Sequence, residues 1–229
     1  MSEKKETVST KQERIAKNAR NLPEASFTSI AYHIDMEWMY EAYRSVRKDG
    51  ATGIDGETGK EYEKDLYTNL EDLLNRIKSG RYIAPPVKRA YIPKNKTEKR
   101  PIGIPTFEDK VAQKAIQMVL EPLYEEDFYD FSYGFRPGKS QHMALDRLWN
   151  EIMNMKGAYI IDLDISKYFD SIDHTLLREV LPKRFGKYTI IPKNLRYLRR
   201  FLTKIVRDRY KKTFYFGCDS SVAIWSHNE

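Results

Sequence analysis

The chain has 229 residues, carries a formal net charge of +7 at neutral pH, and is 41% hydrophobic and 32% charged, which suits one large domain or two small ones around a buried core. Cys218 is the only cysteine, which excludes a disulfide framework and a cysteine-based metal site. No apolar stretch approaches the ~20 residues of a membrane span and no signal-peptide core begins the chain, so we expect a cytoplasmic protein without a membrane partner.

The first third of the chain contains a polar segment followed by two helical patterns. Residues 1 to about 25 are polar and charged without apolar periodicity, which predicts a flexible or weakly helical arm. Apolar residues recur at helical spacing from Met36 to Val46, and the glycine-rich turn GATGIDG follows. A second helical stripe runs from Lys60 to Ser79, and Gly80 is expected to end that helix.

The stretch VKRAYIPKNKTEKRPIGIP consists of two β-like runs separated by a charged loop, which predicts a hairpin. Its prolines confine the strands to sheet edges or strand ends. Lys94 and Arg100 flank the loop, so a hairpin can direct both side chains at one anionic group, with arginine as a fork and lysine as a point charge. The alternative is a solvated charged loop. Lys96 and Lys99 are expected to make general polyanion contacts.

Two more helices follow the hairpin. Thr106 and Asp109 have the spacing of a capping box, and an apolar stripe extends from Val111 to Leu123. After the loop FSYGFRPGKS, Ser140 is expected to cap a further helix. Helices and single strands interleave irregularly, which predicts an α+β fold rather than a doubly wound sheet.

The segment YIIDLDISKYFDSIDH places carboxylates at the end of an apolar strand. Asp162 and Asp164 are two apart, so they share one face of the strand and repel each other unless a cation or water separates them. Mg²⁺ prefers oxygen ligands and is commonly held by one or two carboxylates plus phosphates. The alternative is a solvated strand end. Asp173 is expected to cap the next helix.

Four spaced blocks resemble the group II intron-encoded reverse transcriptases, the polymerase and maturase proteins of mobile introns. LDISKYFDSIDH is similar to their first catalytic block, and AYIPKNKTEKRPIGIPTFEDKVAQKAI to their fingers hairpin and the helix after it. YGFRPGKSQHMAL resembles the second fingers block, and MYEAYRSVRKDGATGIDG the N-terminal extension. The resemblance covers roughly residues 27 to 185.

The resemblance implies a role for each residue of the aspartate block. Asp164 would be the palm aspartate that binds both Mg²⁺ ions, and the backbone carbonyl of Ile165 would complete the ligand set. Phe169 would be the steric gate that excludes a ribose 2′-hydroxyl and so selects deoxynucleotide triphosphates. Asp162 would be solvated or would support the ligands indirectly, with direct ligation of the metal as the alternative. Lys94 and Arg100 occupy the positions of the family's triphosphate-binding basic residues.

Basic residues in two regions are predicted to contact RNA. Lys139 and Arg136 belong to the second fingers block, where Arg136 either contacts the template backbone or pins the loop to its neighbours; we expect a mixed role. The segment from Lys183 to Lys212 contains twelve lysines and arginines but only one acidic residue. An excess of this kind is typical of a phosphate-binding surface, although a solvated helix face is the alternative. Three of these arginines are the predicted RNA contacts: Arg196, Arg199 and Arg200.

The resemblance implies the fingers and a partial palm of a right-hand polymerase, helix-rich with a fingers hairpin and antiparallel palm strands. The expected division is an arm (1–25), an N-terminal extension with the first fingers helices (26–80), fingers (81–157), and a partial palm with a basic helix and an unplaced tail (158–229).

The second acidic block that such a polymerase requires is not found in the sequence. Two-metal nucleotidyl transfer needs several carboxylates, and the family supplies them from a Tyr-x-Asp-Asp hairpin, whereas no adjacent aspartate pair occurs here. The expectation is therefore an RNA-directed DNA polymerase of a mobile group II intron, truncated before this motif and inactive alone. The alternative is a catalytically inactive, maturase-like RNA-binding fragment. Expected partners are template RNA, intron RNA and an RNA/DNA primer duplex.

Overall fold

The computed structural model describes residues 6–28, 30–93, 96, 99–154, 173 and 175–176. Within them lie six longer helices, one short 3₁₀ helix and a two-stranded antiparallel sheet, which confirms the predicted α+β class. The elements in chain order are α1 (Val8–Asn21), a 3₁₀ helix (Ile30–His33), α2 (Met36–Ser45), α3 (Gly59–Lys64), α4 (Leu66–Lys78), β1 (Lys88–Pro93), β2 (Lys99–Ile104), α5 (Phe107–Glu125) and α6 (Gln141–Asn154). None of these helices is long and apolar enough to cross a membrane. The predicted palm strand and the basic helix after Lys183 lie outside the described residues.

Helix α5 forms the centre of the core; α1 and α2 pack against it, and α4 packs against α2. Each helix carries apolar residues three or four positions apart, so one face of each helix can be buried. The indole nitrogen of Trp38 in α2 donates to the carbonyl oxygen of Ala115 in α5 at 3.0 Å, and Trp38 is fully buried. This bond satisfies the one polar atom of a large buried ring and fixes the distance between α2 and α5.

The segment predicted as a flexible or weakly helical arm contains the regular helix α1, packed against α5, so the prediction of flexibility is wrong for residues 8–21. The amide of Gln12 donates to the carbonyl oxygen of Met118 in α5 at 3.0 Å. The buried face of α1 consists of Val8, Lys11, Ile15 and Ala19. Because one of its four members is a lysine and another an alanine, the stripe is too weakly apolar to stand out in the sequence.

Lys11 is buried in an ion pair that joins α1 to α2. Its ammonium nitrogen lies 2.5 Å from a carboxylate oxygen of Asp35, and the other oxygen of Asp35 accepts from the amide nitrogen of Trp38 at 3.0 Å as the N-cap of α2. Burial opposes ionisation of Asp35, but the hydrogen bonds from Lys11 and Trp38 outweigh it and hold the pKa of this carboxyl below its ordinary value. The pair therefore compensates the desolvation of Lys11 and caps α2 at the same time.

The predicted helix from Lys60 to Ser79 is divided into α3 and α4 at Asp65. Helix α3 begins with a complete capping box between Thr58 and Glu61. The predicted end of the second helix is confirmed, because Gly80 has a positive φ of 69° just after the last turn. This left-handed conformation is the usual helix end at glycine.

The three predicted N-caps are confirmed. The hydroxyl oxygen of Thr106 accepts from the amide nitrogen of Asp109 at 3.3 Å, and that of Ser140 accepts from the amide of Met143 at 3.3 Å. A carboxylate oxygen of Asp173 accepts from the amide nitrogen of the residue two positions later at 2.7 Å. Each bond satisfies an amide that the first helical turn leaves unpaired.

The glycine-rich turn between α2 and α3 lies directly against the start of α5. A Cβ atom added to Gly53 would lie 2.5 Å from the Cα atom of Thr106, closer than side-chain carbons approach backbone atoms. The ammonium group of Lys110 donates to the carbonyl oxygen of Ala51 at 2.6 Å. Gly53 is therefore required by close approach of two backbones.

The ion pair of Asp35 predicts a measurable effect on stability. Asp35→Ala removes the N-cap of α2 and leaves Lys11 without its nearest carboxylate, and should lower the free energy of unfolding by about 1–3 kcal/mol, a range that allows for solvent screening of the partly exposed carboxylate. Asp35→Asn keeps a capping oxygen without the charge and should lose less. Chemical denaturation at neutral pH measures both, and no loss in Asp35→Ala would contradict the assignment.

The depressed pKa of Asp35 also fixes the direction of the pH effect. Its charge stabilises the fold above the unfolded pKa, near 3.8, and this contribution is lost as the pH falls through the lower folded-state pKa. The stability difference between the unaltered chain and Asp35→Asn should therefore shrink in acid.

The close approach at Gly53 predicts that Gly53→Ala lowers the free energy of unfolding by about 1–3 kcal/mol, because backbone atoms must move. Gly50→Ala is the matched control in the same turn, since its added Cβ would meet its nearest atoms at an ordinary 3.8 Å. Equal stabilities of the two variants, measured by chemical denaturation, would show that the turn does not press on α5.

Candidate nucleotide and nucleic-acid site

The predicted hairpin is confirmed, and its register places Arg100 on a defined face. Strands β1 and β2 pair antiparallel, with Arg100 opposite Ile92 and Lys99 opposite Pro93. Side chains of directly opposed residues point to the same side, and neighbours along a strand point to opposite sides. Arg100 therefore shares a face with Ile92 and Ile102, whereas Lys99 lies on the other face.

Both faces of the hairpin are exposed to solvent along most of its length. Among the described residues, none forms an ion pair with Arg100 or Lys99. A guanidinium without an ion-pair partner in this described part of the chain can bind an anionic group without first breaking such a pair there. The arrangement fits the predicted anion-binding role of Arg100, which stays a prediction. Lys94, its predicted companion, lies outside the described residues.

The base of the hairpin is fixed to the first turn of α5. Tyr82, in the segment that leads into β1, donates its hydroxyl proton to a carboxylate oxygen of Asp109 at 2.8 Å, and both residues are buried. The other oxygen of Asp109 accepts from the amide of Gln113 at 3.2 Å. Strand β2 ends at Ile104, two residues before the N-cap Thr106. The chain entering the hairpin and the chain leaving it therefore meet at the same helical turn.

An ion pair next to this point joins α4 to α5. Both terminal nitrogens of Arg76 contact the carboxylate of Glu108, at 3.2 and 2.5 Å, and the guanidinium lies 5.5 Å from the ring centroid of Tyr82. Burial opposes the charge of Arg76, but its contacts with Glu108 and Asp72 outweigh this and raise its pKa. The ring of Tyr82 is thus held from two sides, by Arg76 and by Asp109.

Tyr82 is a residue that the sequence analysis missed. It lies between a helix end and a strand start, where no periodic pattern identifies buried residues. Asp109 was identified only as part of a capping box. A tyrosine and an aspartate 27 positions apart carry no sequence signal of a mutual hydrogen bond.

In the loop between α5 and α6, Arg136 makes the contacts of a pinning residue. Its guanidinium contacts Glu125 at 2.9 Å and the carbonyl oxygens of Tyr129 and Ser132 at 2.8 and 2.9 Å. It also lies 4.8 Å from the ring centroid of Phe128. Only 8% of the side chain is exposed, which leaves little surface for RNA. Arg136 therefore holds the loop to its neighbours, as one part of the expected mixed role requires. The other part, direct contact with RNA, stays a prediction, and the burial of the side chain counts against it.

Lys139, the second predicted RNA contact of this loop, is partly exposed. Its ammonium nitrogen lies 3.4 Å from the carbonyl oxygen of Asp130 and 5.3 Å from the ring centroid of Tyr133. Both contacts are long, so the ammonium group can turn toward a phosphate at small cost. RNA binding by Lys139 stays a prediction.

The other predicted site residues lie outside the described part of the chain. They are Asp162, Asp164, Ile165, Phe169, Arg196, Arg199 and Arg200. Within the described residues, no group of three or more histidine, cysteine, aspartate or glutamate side chains is placed to hold a metal ion. The metal assignment of Asp164 and Ile165 is therefore not tested by geometry.

Comparison with known proteins identifies the family. The model of the family described as reverse transcriptase (RNA-dependent DNA polymerase) matches residues 92–227. The Protein YkfC of Escherichia coli is 36% identical over 156 residues, which are 66% of this chain and 41% of that protein. The group II intron-encoded protein LtrA of Lactococcus lactis is 36% identical over 170 residues, 72% of this chain and 28% of that protein.

A eukaryotic relative agrees with the bacterial ones. The nuclear intron maturase 1, mitochondrial, of Arabidopsis thaliana is 31% identical over 83 residues, 34% of this chain and 11% of that protein. The matched part of the chain spans less than half the length of each of these relatives. The family match covers more than half of the chain and includes β2, the α5–α6 region and the aspartate block. The chain therefore belongs to the reverse transcriptase family, among the group II intron-encoded reverse transcriptases and intron maturases.

Proposed function

We propose that this chain supplies the fingers and the beginning of the palm for RNA-directed DNA synthesis by a mobile group II intron protein. The observation that carries the proposal is the hairpin: Arg100 is exposed and without an ion-pair partner among the described residues, on a hairpin whose base is anchored to buried residues. The positive charge of the Arg100 guanidinium, on a hairpin whose base is fixed, is suited to bind a nucleoside triphosphate, which carries several negative charges.

Two residues of the aspartate block are proposed to hold Mg²⁺. Asp164 offers carboxylate oxygens and Ile165 a backbone carbonyl oxygen, both hard donors of the kind that Mg²⁺ prefers. When bound, the metal neutralises phosphate charge and stabilises the oxygens that exchange at phosphorus. Support comes from the donor chemistry and from the family match across this block.

Nucleotide selection is assigned to residues on both sides of the bound triphosphate. Lys94 and Arg100 bind the phosphates, and the ring of Phe169 fills the space that a ribose 2′-hydroxyl would occupy, so that deoxynucleotides are preferred. These roles rest on the positions of the residues within the matched region.

RNA is the proposed polymeric partner, as template, as intron RNA and as one strand of the primer duplex. Lys139 on the α5–α6 loop and the arginines at 196, 199 and 200 are proposed to contact phosphates. The names of two relatives support this choice, since one is a group II intron-encoded protein and the other an intron maturase.

The hairpin register provides a matched test of nucleotide binding. In an intron-encoded polymerase that contains these residues and a Tyr-x-Asp-Asp hairpin, Arg100→Ala and Lys94→Ala should each weaken nucleotide binding by roughly 1.5–3 kcal/mol, because a charge-assisted contact is lost. The measurement is the nucleotide KM in primer extension, alongside template affinity, which should change much less.

The control is Lys99→Ala, which removes a positive charge from the adjacent position but on the opposite face of the hairpin. It should leave the nucleotide KM nearly unchanged. An equal effect of all three changes would indicate general electrostatics, and no effect of Arg100→Ala would contradict the triphosphate assignment.

A second candidate function is RNA binding without synthesis by these 229 residues alone. It is favoured by the lack of an adjacent aspartate pair anywhere in the sequence. The carboxylate of Asp164 alone cannot hold two Mg²⁺ ions in the geometry of nucleotidyl transfer. RNA binding does not need that pair, because the phosphate contacts come from the fingers and the basic stretch.

The two functions are separated by one pair of measurements on the 229-residue chain. The logarithm of RNA affinity should fall linearly with the logarithm of the salt concentration, because bound phosphates release counterions. For single strands the slope should be about −0.7 for each neutralised phosphate. Replacement of Arg196, Arg199 and Arg200 by alanine should flatten this slope, while Asp164→Ala should leave affinity nearly intact. No primer should be extended with Mg²⁺ and deoxynucleotides. Extension by these residues alone would contradict the incomplete site, and salt-independent affinity would contradict the phosphate-binding surface.

A further inference from the structure

The hairpin has a second face, on the side of the sheet opposite to Arg100. Because strand residues alternate between the two sides, Arg89, Tyr91 and Lys99 lie together on this second face. We call it the Tyr91 face. The residues that stand across from these three in the register are small or ring-closed: Gly103, Pro101 and Pro93, in that order.

The short partners leave the long side chains of the Tyr91 face open to solvent. The side chain of Tyr91 is 61% exposed, and Arg89 and Lys99 are exposed as well. Glycine is needed at position 103, because an added Cβ atom would lie 2.8 Å from a methyl carbon of Val87. The face is therefore a low surface with one flat ring and two cationic side chains standing on it.

Neither the ring nor the two charges of the Tyr91 face is used within the described part of the chain. None of the ion pairs and ring contacts there includes Arg89, Tyr91 or Lys99. Among the described elements, β1 and β2 pack chiefly against each other. A ring that is mostly in water contributes little to the core, so its strand preference is the structural alternative to a binding role.

The charge of the hairpin favours a polyanion as the occupant of this face. Every charged side chain among the described hairpin residues is basic: Lys88, Arg89, Lys96, Lys99 and Arg100. Arg89 lies two positions before Tyr91 on the same strand, and Lys99 is diagonally across from it, each at a backbone distance of about 7–8 Å. The ring thus has a cation on either side along the hairpin.

An aromatic ring between cations matches the chemistry of single-stranded nucleic acid. Such strands are bound by basic residues that follow the phosphates and by aromatic rings on which the bases stack. Bases in a duplex are stacked on one another, so a ring on a protein surface is better suited to an unpaired base.

We infer that the Tyr91 face binds single-stranded RNA, with an unpaired base stacked on the ring of Tyr91 and its neighbouring phosphates in contact with Arg89 and Lys99. The inference deepens the proposed function and rests on the RNA binding proposed there. Because Arg100 is on the other side of the sheet, the hairpin can hold this RNA and a nucleoside triphosphate at the same time.

The ring can be removed without removing the strand preference. Tyr91→Thr keeps a β-branched residue that favours strands, so the hairpin should be retained. The affinity of the 229-residue chain for a labelled single-stranded RNA 20-mer should fall about 5- to 150-fold, the effect of losing one stacked base. Tyr91→Phe keeps a flat ring and should bind nearly as the unaltered chain does.

The salt dependence separates the base contact from the phosphate contacts. Arg89→Ala should weaken binding and make the slope of log affinity against log salt shallower by about 0.7, the value for one neutralised phosphate. Tyr91→Thr should leave the slope unchanged, because a base contact releases no counterion.

Two controls make the result specific. Ile92→Thr changes the adjacent, half-exposed residue on the opposite face of the same strand and should leave RNA affinity unchanged. A 20-mer of abasic sugar phosphates retains the phosphates without any bases, so Tyr91→Thr should bind it as well as the unaltered chain does.

Each outcome decides the inference. Unchanged RNA affinity of Tyr91→Thr would overturn it, as would an equal loss in Ile92→Thr, which would show that the hairpin as a whole is disturbed. An equal loss on the abasic oligomer would also overturn it and would favour a ligand recognised by charge, such as an acidic protein segment. If the unaltered chain binds neither oligomer, the proposed RNA binding fails together with the Tyr91 face. If it binds both and neither Tyr91→Thr nor Arg89→Ala has an effect, only the Tyr91 face fails.

Discussion

The hydrogen bond between Tyr82 and the buried carboxylate of Asp109 is the interaction on which the arrangement of this molecule depends. A carboxylate that is 1% exposed must have its oxygens satisfied, or its burial is costly. Tyr82 and Gln113 each donate a hydrogen bond to this carboxylate, and Thr106 caps the same helical turn. Because each donor must keep its place to avoid an unpaired buried charge, the turn acts as a fixed point. The segment that leads into β1 is held at this point, and β2 ends two residues before Thr106.

The need for such a fixed point follows from the hairpin itself. A two-stranded sheet that is exposed on both faces has little buried surface of its own, and isolated hairpins are marginally stable in water. Its orientation must therefore be set at its base. The contacts that set it come from outside the strands: Tyr82, the pair of Arg76 with Glu108, and the close packing of Gly53 against Thr106. The glycine-rich turn and the hairpin are distant in sequence but are positioned by the same first turn of α5.

Local patterns were sufficient to predict most of the helices and the hairpin. The stripe from Val111 to Leu123 identified α5, and the cap residues Thr106 and Ser140 identified helix starts within one or two residues. These features depend on neighbours three or four positions away, which a sequence displays directly. Helix α1 was mistaken for an arm because its stability comes from α2 and α5, through Lys11 and Gln12.

The candidate site was predictable to a smaller extent, for the same physical reason. The basic residues of the hairpin could be named from their position beside a charged loop, but the anchors of that hairpin could not. The contacts of Arg136 show the limit clearly: in the sequence it is one more basic residue in a loop, whereas in the structure its charge is used internally.

The described arginines differ in whether their charge is paired within the fold. Among the described arginines, Arg20, Arg76 and Arg136 each bind a glutamate and connect elements of the fold. Those of the hairpin, Arg89 and Arg100, have no ion-pair partner within the same described region. The total of basic residues therefore overstates the surface available to a polyanion. What points to a phosphate-binding surface is that two arginines without an ion-pair partner among the described residues lie on a hairpin whose base is fixed by buried residues.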